Sequence, residues 1–382
     1  IVLHENCKVI NKRISSCFVV NNRAEKLIRE FGLDELPADI FKNLGVDHHY
    51  VRRRIIFACR TLEDLETIVY RENKFYALTG IMPSHEKIHL GTAAVIESMK
   101  CLQKSAKLTI VLVADLESLA TRNIDLETGR KYALNYHIPT YLALGLDPQK
   151  TIFYFQSENI DLQKIAFDAS KEITLSELEA IYGTITPGRI LSAFYQIGDI
   201  LFPQLVESML GVIPVGLDQD PHIRLCRDYI KRTRNYDFRP IIGLYITDIP
   251  SLRGEGKMSK SDPYSAIFIP EEDENFLRRK IYRAFSGGAP SLEEQRKRGA
   301  NLEIDVPFQL LRFLLPDDNE LKRIAEEYGS GKMISGEVKE YLYNFLKEYM
   351  KELKEKIEQY REIVNKREIL IVHSKDELKQ YL

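Results

Sequence analysis

The order of hydrophobic and polar positions divides the chain into three stretches. In the first, the alternating residues of "CKVINKRISSCFVV" predict a short β-hairpin, and "NRAEKLIREFG" predicts a helix that ends at Gly32. We expect residues 1–70 to form an N-terminal appendage to the main domain.

From about Phe75 onward, short apolar runs alternate with helical stretches. The runs are "FYALTG", "KLTIVLVADL", "KTIFYFQS" and "GVIPVGLD", and each has Gly, Asp or Ser as its last or next-to-last residue. Between them lie helical patterns such as "HLGTAAVIESMKCLQ" and "GRKYALNYHIPTYLALG". This alternation predicts an α/β fold, a doubly wound parallel sheet of Rossmann type over residues 71–265. The ligands of such a sheet bind at the carboxyl ends of its strands.

After Pro263 the pattern becomes helical, and we expect residues 266–382 to form an α-helical domain. Its clearest helices are "LKRIAEEYGSG" and "YLYNFLKEYMKELKEKIEQYREIV". In the second, apolar residues recur every three or four positions, which indicates a stripe that faces the core rather than a partner. The stripe consists of Leu342, Leu346, Met350, Leu353, Ile357, Tyr360 and Val364.

Composition and charge add three expectations. Lys+Arg of 54 against Asp+Glu of 56 gives a net charge of −2, so a polyanion must be bound by a local patch. The 5 cysteines are scattered and indicate neither a zinc site nor a disulfide framework, which favours reduced thiols and a cytoplasmic location. No apolar run reaches ~18 residues and the opening residues do not resemble a signal peptide, so we expect no membrane association.

Histidines are expected to play structural rather than metal-binding roles. His48, His49 and His137 are not accompanied by a carboxylate or cysteine at metal-ligand spacing. We therefore predict no protein-held metal.

A candidate phosphate site follows the first strand of the predicted sheet. Thr79 and Gly80 end the strand, Pro83 begins a turn, and His89 and Gly91 open a helix. The N-terminus of a helix offers unpaired N–H groups and a positive dipole end, which suit a phosphate. Glycines without a Cβ allow a nucleotide to lie against the backbone. Taken alone, His89 could equally be a helix cap or a packed surface residue.

The segment "RGEGKMSKSDP" supplies the second candidate. Its lysines, Lys257 and Lys260, lie on a stretch too rich in Gly and Pro to be rigid. Such a loop could open to admit a triphosphate and close so that its cations neutralise the charge that develops on the phosphates. A run of lysine and serine is usually solvated surface, but its position after a parallel-sheet pattern with His-x-Gly upstream favours the functional interpretation.

These two motifs carry a family resemblance. "HLGT" with "KMSKS" resembles the paired motifs of class I aminoacyl-tRNA synthetases. "GLDQDPHIRLCRD", "AFSGG", "GLDPQKTIFYFQS" and "FGLDELP" are similar to segments of tryptophanyl-tRNA synthetases. The similarity runs from about Phe31 to Val364, and it indicates the archaeal and eukaryotic type with some bacterial-like pocket features.

The resemblance implies the chemistry. The tryptophan carboxylate attacks the α-phosphate of Mg-ATP to form tryptophanyl-adenylate and pyrophosphate, and the acyl group then moves to tRNA(Trp). Mg²⁺ is expected on the phosphates rather than in a protein cage. By position, the catalytic residues would be His89, Gln219, Lys257 and Lys260. The ATP-binding residues would be Thr79, Gly80, Pro83, His89, Gly91, Thr92, Gly216, Leu217, Asp218, Lys257, Met258 and Ser259.

The chain departs from the family pattern in two places. The fourth position of the first motif is usually His or Asn, whereas Thr92 offers a hydroxyl with shorter reach and no charge. Archaeal and eukaryotic members typically hold the indole N–H with a Tyr and a Gln where this chain has Leu78 and Leu112.

"YQIGDIL" instead resembles the bacterial "MAADIL", whose Asp accepts the indole proton. We hypothesise that Asp199 is the indole acceptor, with a helix-capping carboxylate as the alternative. Gln196 and Glu117 would hold the α-amino group and Gln219 would orient the substrate. The apolar slot would be lined by Leu78, Ile213 and Val215.

Three other functions stay open from the sequence. A tyrosyl-tRNA synthetase also uses Gln-x-x-Asp, although Leu78 stands where that family places a second hydroxyl donor. A nucleotidyltransferase that acts on small molecules would share both motifs without tRNA. A non-catalytic RNA-binding paralogue is disfavoured by the intact KMSKS but not by Thr92.

Partner surfaces follow from the resemblance and from charge. The basic clusters Lys231–Pro240, Arg278–Arg283 and Gln295–Arg298 could contact tRNA phosphates, although each singly is more simply solvated surface. Anticodon binding is expected in the C-terminal helical domain. The insertion from about residue 125 to 202 is where relatives form a two-fold dimer, so we expect a homodimer.

Overall fold

The structure is a computed structural model that describes residues 22–37, 39–271 and 273–382. The predicted hairpin "CKVINKRISSCFVV" lies outside the described residues. Among the described residues, no helix has both the length and the apolar character required to cross a lipid bilayer.

An eight-stranded sheet forms the centre of the fold, in the order β1-β2-β8-β7-β3-β5-β6-β10. The segment from β8 to β10 is parallel throughout, whereas β1 and β2 pair antiparallel at one edge. A separate small sheet pairs β4 with β9. The strands are β1 (Asp34–Glu35), β2 (Ile56–Cys59), β3 (Phe75–Ile81), β4 (Ile88–His89), β5 (Leu108–Val113), β6 (Thr151–Phe155), β7 (Leu210–Gly216), β8 (Ile241–Ile246), β9 (Phe268–Ile269) and β10 (Leu370–Ile371).

The strand order creates a crevice in the middle of the sheet. From β3 the chain winds outward through β5 to β6 and then returns to β7 on the other side of β3. In a doubly wound sheet this reversal leaves a gap at the carboxyl ends of the two central strands, where ligands bind. The predicted α/β Rossmann fold and all four predicted strands are confirmed.

The sequence reasoning missed four strands of this sheet: β1, β2, β8 and β10. β8 is an apolar run bounded by Pro240 and Thr247, and all its residues are buried. β2 is also fully buried, and it comes from the range 1–70 that the sequence places in an appendage. β10 lies in the C-terminal range that the sequence predicts to be helical, and it pairs with β6 at the edge of the sheet. β6 itself was predicted, but it lies within the range 125–202 that the sequence treats as an insertion.

Helices cover both faces of the sheet and make up most of the C-terminal third. Those before β8 in the chain are α1 (Asn22–Phe31), α2 (His49–Arg52), α3 (Leu62–Thr67), α4 (Leu90–Gln103), α5 (Asp115–Arg122), α6 (Leu126–Tyr132), α7 (Ile138–Ala143), α8 (Ile160–Glu172), α9 (Leu175–Tyr182), α10 (Pro187–Leu201) and α11 (Asp220–Arg232). Those after it are α12 (Glu274–Arg283), α13 (Leu292–Arg298), α14 (Val306–Leu314), α15 (Asp318–Ser330), α16 (Ser335–Asn365) and α17 (Lys375–Leu378).

The long helix α16 carries the predicted core stripe. Six of the seven stripe residues are buried in the main hydrophobic cluster, and Tyr360 packs against it half-buried. The same cluster includes residues of the sheet and of the N-terminal part of the described chain, such as Phe41 and Val111. The C-terminal helices therefore share a core with the sheet that holds the crevice.

Candidate active site

A cavity of about 850 Å³ opens at the carboxyl ends of β3 and β7. Two predicted site residues do not line it. The Pro83 carbonyl instead accepts a hydrogen bond from the Ser118 hydroxyl at 3.2 Å, and Leu217 packs with Phe57 and Tyr245. All the others line this one cavity: Leu78, Thr79, Gly80, His89, Gly91, Thr92, Glu117, Gln196, Asp199, Ile213, Val215, Gly216, Asp218, Gln219, Lys257, Met258, Ser259 and Lys260.

The His-x-Gly spacing has a steric explanation. His89 immediately precedes α4, and a Cβ at position 91 would lie 2.9 Å from Nδ1 and Cε1 of its ring. Glycine at that position therefore allows the ring to lie against the first turn of the helix. His89 occupies the N-cap position of α4, but its side chain makes no capping hydrogen bond.

The ring of His89 is neutral at physiological pH. Burial, reinforced by the charges of Lys260 and Lys257, lowers the pKa of His89 to about 4. Its Nδ1 is buried and has no hydrogen-bond partner among the described residues. A buried polar atom without a partner is costly, so this nitrogen is available to a ligand.

The loop that carries the two lysines closes one side of the cavity. Gly254 and Gly256 have φ angles of 88° and 69°, a backbone region that favours glycine. Lys257 Nζ donates to Asp218 Oδ2 at 2.7 Å, and both side chains are about half exposed. Burial, followed by the charge of Arg122, lowers the pKa of Lys260.

The far end of the loop is tied to the His-x-Gly turn. The backbone N–H of Leu90 donates to the Ile267 carbonyl at 3.0 Å, and β4 pairs His89 with Phe268. The two motifs, which lie far apart in the sequence, are thus held against each other by backbone hydrogen bonds.

A buried carboxyl lines the same cavity as the apolar side chains Leu78, Leu112 and Ile213. Asp199 is 1% exposed, and its Oδ2 accepts a hydrogen bond from Gln156 Nε2. The Tyr154 hydroxyl lies 3.1 Å from the Asp199 carbonyl oxygen and 3.3 Å from Oδ1. Burial raises the pKa of Asp199 well above its ordinary value. Because Asp199 lies inside α10, the helix-capping alternative is wrong.

Three further polar side chains line the cavity: Glu117, Gln196 and Gln219. The carboxyl of Glu117 makes no hydrogen bond within the described chain, and burial raises its pKa. Gln196 Nε2 donates to Gln219 Oε1 at 3.5 Å. Leu78 and Leu112, the two positions that depart from the family pattern, are both buried and form part of the cavity wall.

Sequence reasoning missed several residues of the site. Arg122, His222 and Asp248 line the cavity, and Gln156 supports it from behind Asp199. Each follows a strand or lies on the helix after one, so the rule that ligands bind at carboxyl strand ends is the signal that could have found them. Asp248 follows β8, which the sequence reasoning did not identify.

A carboxylate does accompany the histidine pair, which corrects the sequence expectation. His48 Nε2 lies 3.0 Å from Glu97 Oε1, and donor atoms of His48, His49 and Glu97 fall within 4.8 Å of one another. The backbone N–H of Tyr50 donates to His48 Nδ1, and His49 Nε2 bonds the Phe313 carbonyl at 3.0 Å. These hydrogen bonds occupy three of the four ring nitrogens and support a structural role.

The three basic clusters are largely paired within the molecule. In the first, Arg232 and Arg239 bind Glu177 and Glu72. In the second, Lys280 forms a buried ion pair with Glu271. Exposed cations that remain for a polyanion include Arg234, Arg283 and Lys297.

Known proteins resemble the chain over most of its length. The family model described as "tRNA synthetases class I (W and Y)" matches residues 70–351. The tryptophan–tRNA ligase of Methanocaldococcus jannaschii is 38% identical over 351 residues, which cover 90% of this chain and 94% of that protein. The cytoplasmic tryptophan–tRNA ligase of Arabidopsis thaliana is 35% identical over 344 residues, covering 85% of this chain and 84% of that protein. The crystal structure of tryptophanyl-tRNA synthetase from Aeropyrum pernix matches with a TM-score of 0.83 and 33% identity, covering 91% of this chain and 96% of that one.

Proposed function

Because the chain belongs to the class I tRNA synthetases of the tryptophan and tyrosine family, we propose that it activates L-tryptophan with ATP and transfers it to tRNA(Trp). The observation that carries this function is the single cavity lined both by the His-x-Gly turn and by the two loop lysines. It offers an apolar end for an indole and a cationic end for a triphosphate.

In the activation step, a carboxylate oxygen of tryptophan bonds to the α-phosphorus while the bond to pyrophosphate breaks. His89 and the backbone at Gly91 would contact ATP, and Lys257 and Lys260 would neutralise the phosphates as charge moves onto the leaving group. Asp218 would bind the ribose hydroxyls, which requires its ion pair with Lys257 to open. Removal of that pair on ATP binding would free the lysine for the phosphates.

Tryptophan would be oriented by groups at the two ends of the apolar slot. Asp199 would accept the indole N–H, since Gln156 and Tyr154 hold its carboxyl at the apolar end of the cavity. Glu117 and Gln196 would bind the α-ammonium group, and the unpaired carboxyl of Glu117 supports that role. Gln219, beside Gln196, would orient the reacting carboxylate.

Mg²⁺ would neutralise phosphate charge when ATP is bound. Among the described residues, His48, His49 and Glu97 are close enough together to hold a metal ion. None of the three lines the cavity. The residues present therefore fit an ion held by phosphate oxygens, in keeping with the preference of Mg²⁺ for substrate phosphates.

The relatives favour a tryptophan–tRNA ligase over the three other candidate functions. The family model covers both tryptophan and tyrosine enzymes, but both curated relatives described above are tryptophan–tRNA ligases. Leu78 and Leu112 add apolar surface to the slot, and Leu78 stands where tyrosyl enzymes place a second hydroxyl donor for the phenol. Neither the small-molecule nucleotidyltransferase nor the RNA-binding paralogue receives support from these relatives.

A homodimer and a cytoplasmic location complete the proposal. A surface groove of about 660 Å³ is lined by the large side chains Ile160, Phe167, Tyr195 and Tyr236 together with polar and charged residues such as Lys164, and Phe167 is 77% exposed. Because large exposed apolar side chains mark interaction sites, we assign this groove, most of whose lining residues lie in the range 125–202, to a second copy of the chain. The cytoplasmic name of the Arabidopsis relative and three free, buried cysteines favour a reducing compartment.

The function is tested by aminoacylation of a tRNA(Trp) transcript. We expect the purified protein to attach tryptophan to this transcript in the presence of Mg-ATP, and to leave a tRNA(Tyr) transcript uncharged. Charging of tRNA(Tyr) with tyrosine would contradict the proposal and favour the tyrosyl alternative. Activation of tryptophan without transfer to either tRNA would instead favour the nucleotidyltransferase.

A further inference from the structure

Arg122 is a cation of the cavity for which neither the motifs nor the resemblance supply a role. It is the last residue of α5, five positions beyond Glu117, and it lines the cavity together with Lys260. Within the described part of the chain, its guanidinium makes no hydrogen bond and no ion pair.

Arg122 and Lys260 are cations that line the same cavity, and like charges repel each other. The charge of Arg122 adds to burial in lowering the pKa of Lys260, which places the two groups within electrostatic reach. Such repulsion is relieved when an anion binds between them. Like-charged groups held together in a cleft are therefore typical of a ligand site.

Arg122 also lies near a negatively charged group, the carboxylate of Glu117. Its guanidinium lowers the pKa of the Glu117 carboxyl, against the larger effect of burial. It therefore lies within electrostatic reach of both the carboxyl assigned to the α-ammonium group and the lysine assigned to the phosphates. In the proposed reaction this is the region where the tryptophan carboxylate meets the α-phosphate.

We propose that Arg122 is a catalytic residue whose guanidinium binds a nonbridging oxygen of the α-phosphate during adenylate formation. The proposal rests on the proposed function. A guanidinium matches phosphate geometry with two parallel N–H donors and stays protonated, so it exchanges no proton as the carboxylate oxygen bonds to phosphorus and pyrophosphate leaves. Thr92, in the same cavity, supplies a hydroxyl where relatives place a histidine or asparagine. Arg122 would supply positive charge near this position.

The test compares Arg122→Gln, Arg122→Lys and a control, Arg71→Gln, in tryptophan-dependent ATP–pyrophosphate exchange. Arg71 is exposed and does not line the cavity. Loss of one placed donor to a developing charge should lower kcat/KM for ATP about 10²–10³-fold in Arg122→Gln. Arg122→Lys should retain an intermediate rate, because lysine keeps the positive charge but lacks the two parallel N–H donors of the guanidinium. The control should match the wild type.

Two further readouts separate catalysis from folding and from the proposed function. Tryptophan binding without ATP, followed by ligand fluorescence in this Trp-free chain, should be unchanged in Arg122→Gln. The alkaline limb of the pH profile should move to higher pH, because the pKa of Lys260 rises when its neighbour loses its charge. Wild-type exchange rates in Arg122→Gln, or an equal loss of tryptophan binding, would overturn the assignment. A wild-type protein without tryptophan-dependent exchange would instead refute the proposed function.

Discussion

At the scale of single residues, Asp199 is the residue that we propose recognises the ligand at the apolar end of the cavity. The sequence led to Asp199 only through its resemblance to a bacterial segment. Its supports, Gln156 and Tyr154, come from the end of β6, more than forty positions earlier in the chain. Sequence reasoning could not pair them with Asp199, because the contact depends on how α10 packs over the sheet.

The first prediction concerns Asp199→Asn. The amide would turn a donor toward the indole N–H or toward Gln156, so we expect a rise in the KM for tryptophan that corresponds to about 1.5–3 kcal/mol, with the KM for ATP unchanged. Pyrophosphate exchange as a function of each substrate measures both values. A variant with a normal KM for tryptophan would remove Asp199 from the binding site.

The same substitution should raise stability at neutral pH. Because the folded-state pKa of Asp199 lies above its ordinary value, the folded chain binds more protons than the unfolded chain between the two pKa values. Stability therefore falls as pH rises through that window, and asparagine removes this cost of burying a charge. Thermal unfolding at pH 7 should give a higher midpoint for the variant, whereas a lower midpoint would contradict a raised pKa.

Gly91→Ala tests the steric account of the His-x-Gly turn. The new Cβ would lie 2.9 Å from the His89 ring and displace it, so we expect a lower kcat/KM for ATP. Alanine favours a helix by about 1 kcal/mol over glycine, so thermal stability should fall little if at all. Gly336→Ala is the matched control, since Gly336 is also the second residue of a helix and a Cβ there meets nothing within 4 Å. Equal kinetics in the two variants would refute the steric account.

At the scale of elements, the loop from Arg253 to Ser265 is anchored beside the His-x-Gly turn and carries an exchangeable ion pair near its centre. Its C-terminal end leads into β9, which pairs with β4 beside the His-x-Gly turn. Near its centre, Lys257 is held by Asp218 through a half-exposed ion pair, which is weak enough to exchange for a phosphate.

We therefore predict that Lys257→Ala and Lys260→Ala each lower kcat about 10²–10³-fold while thermal stability stays unchanged. Glu255→Ala is the control within the same loop, since Glu255 is exposed and does not line the cavity. Single-turnover measurements of adenylate formation would separate chemistry from ATP binding. Wild-type turnover in both lysine variants would rule out catalysis by placed cations.

Strand prediction succeeded where the apolar run was continuous and ended in a turn residue. β8 was missed although it is buried, because Gly243 interrupts its run of bulky residues. A Cβ at that position would lie 2.6 Å from the Tyr245 hydroxyl, which reaches Asp220. β1 and β10 have two residues each, too few for any periodicity to show in the sequence.

At the scale of the whole molecule, the predicted three-part division remains a proposal, but buried contacts link the parts. Arg53 is 0% exposed, and it donates to Asp318 and to the Arg312 carbonyl at 2.7 Å. Although burial alone would raise the pKa of Asp318, hydrogen bonds from Arg52 and Arg53 lower it. Such contacts between distant segments leave no local signal, which is why the sequence favoured a separate appendage.

The proposed dimer gives a prediction at this scale. Phe167→Glu places a charge in the groove assigned to the second copy, and we expect the variant to elute as a monomer under conditions where the wild type is a dimer. Leu292→Glu is the control, because Leu292 is 59% exposed on α13, outside the range 125–202. Light scattering after size exclusion measures both masses. An unchanged mass in Phe167→Glu would place the interface elsewhere.

The central claim is that one cavity joins a triphosphate to an amino acid with an indole side chain. ATP–pyrophosphate exchange with each standard amino acid in turn tests it most directly. The account predicts exchange stimulated by tryptophan and by no other amino acid at comparable concentration. Stimulation by tyrosine instead, or by none of them, would contradict it.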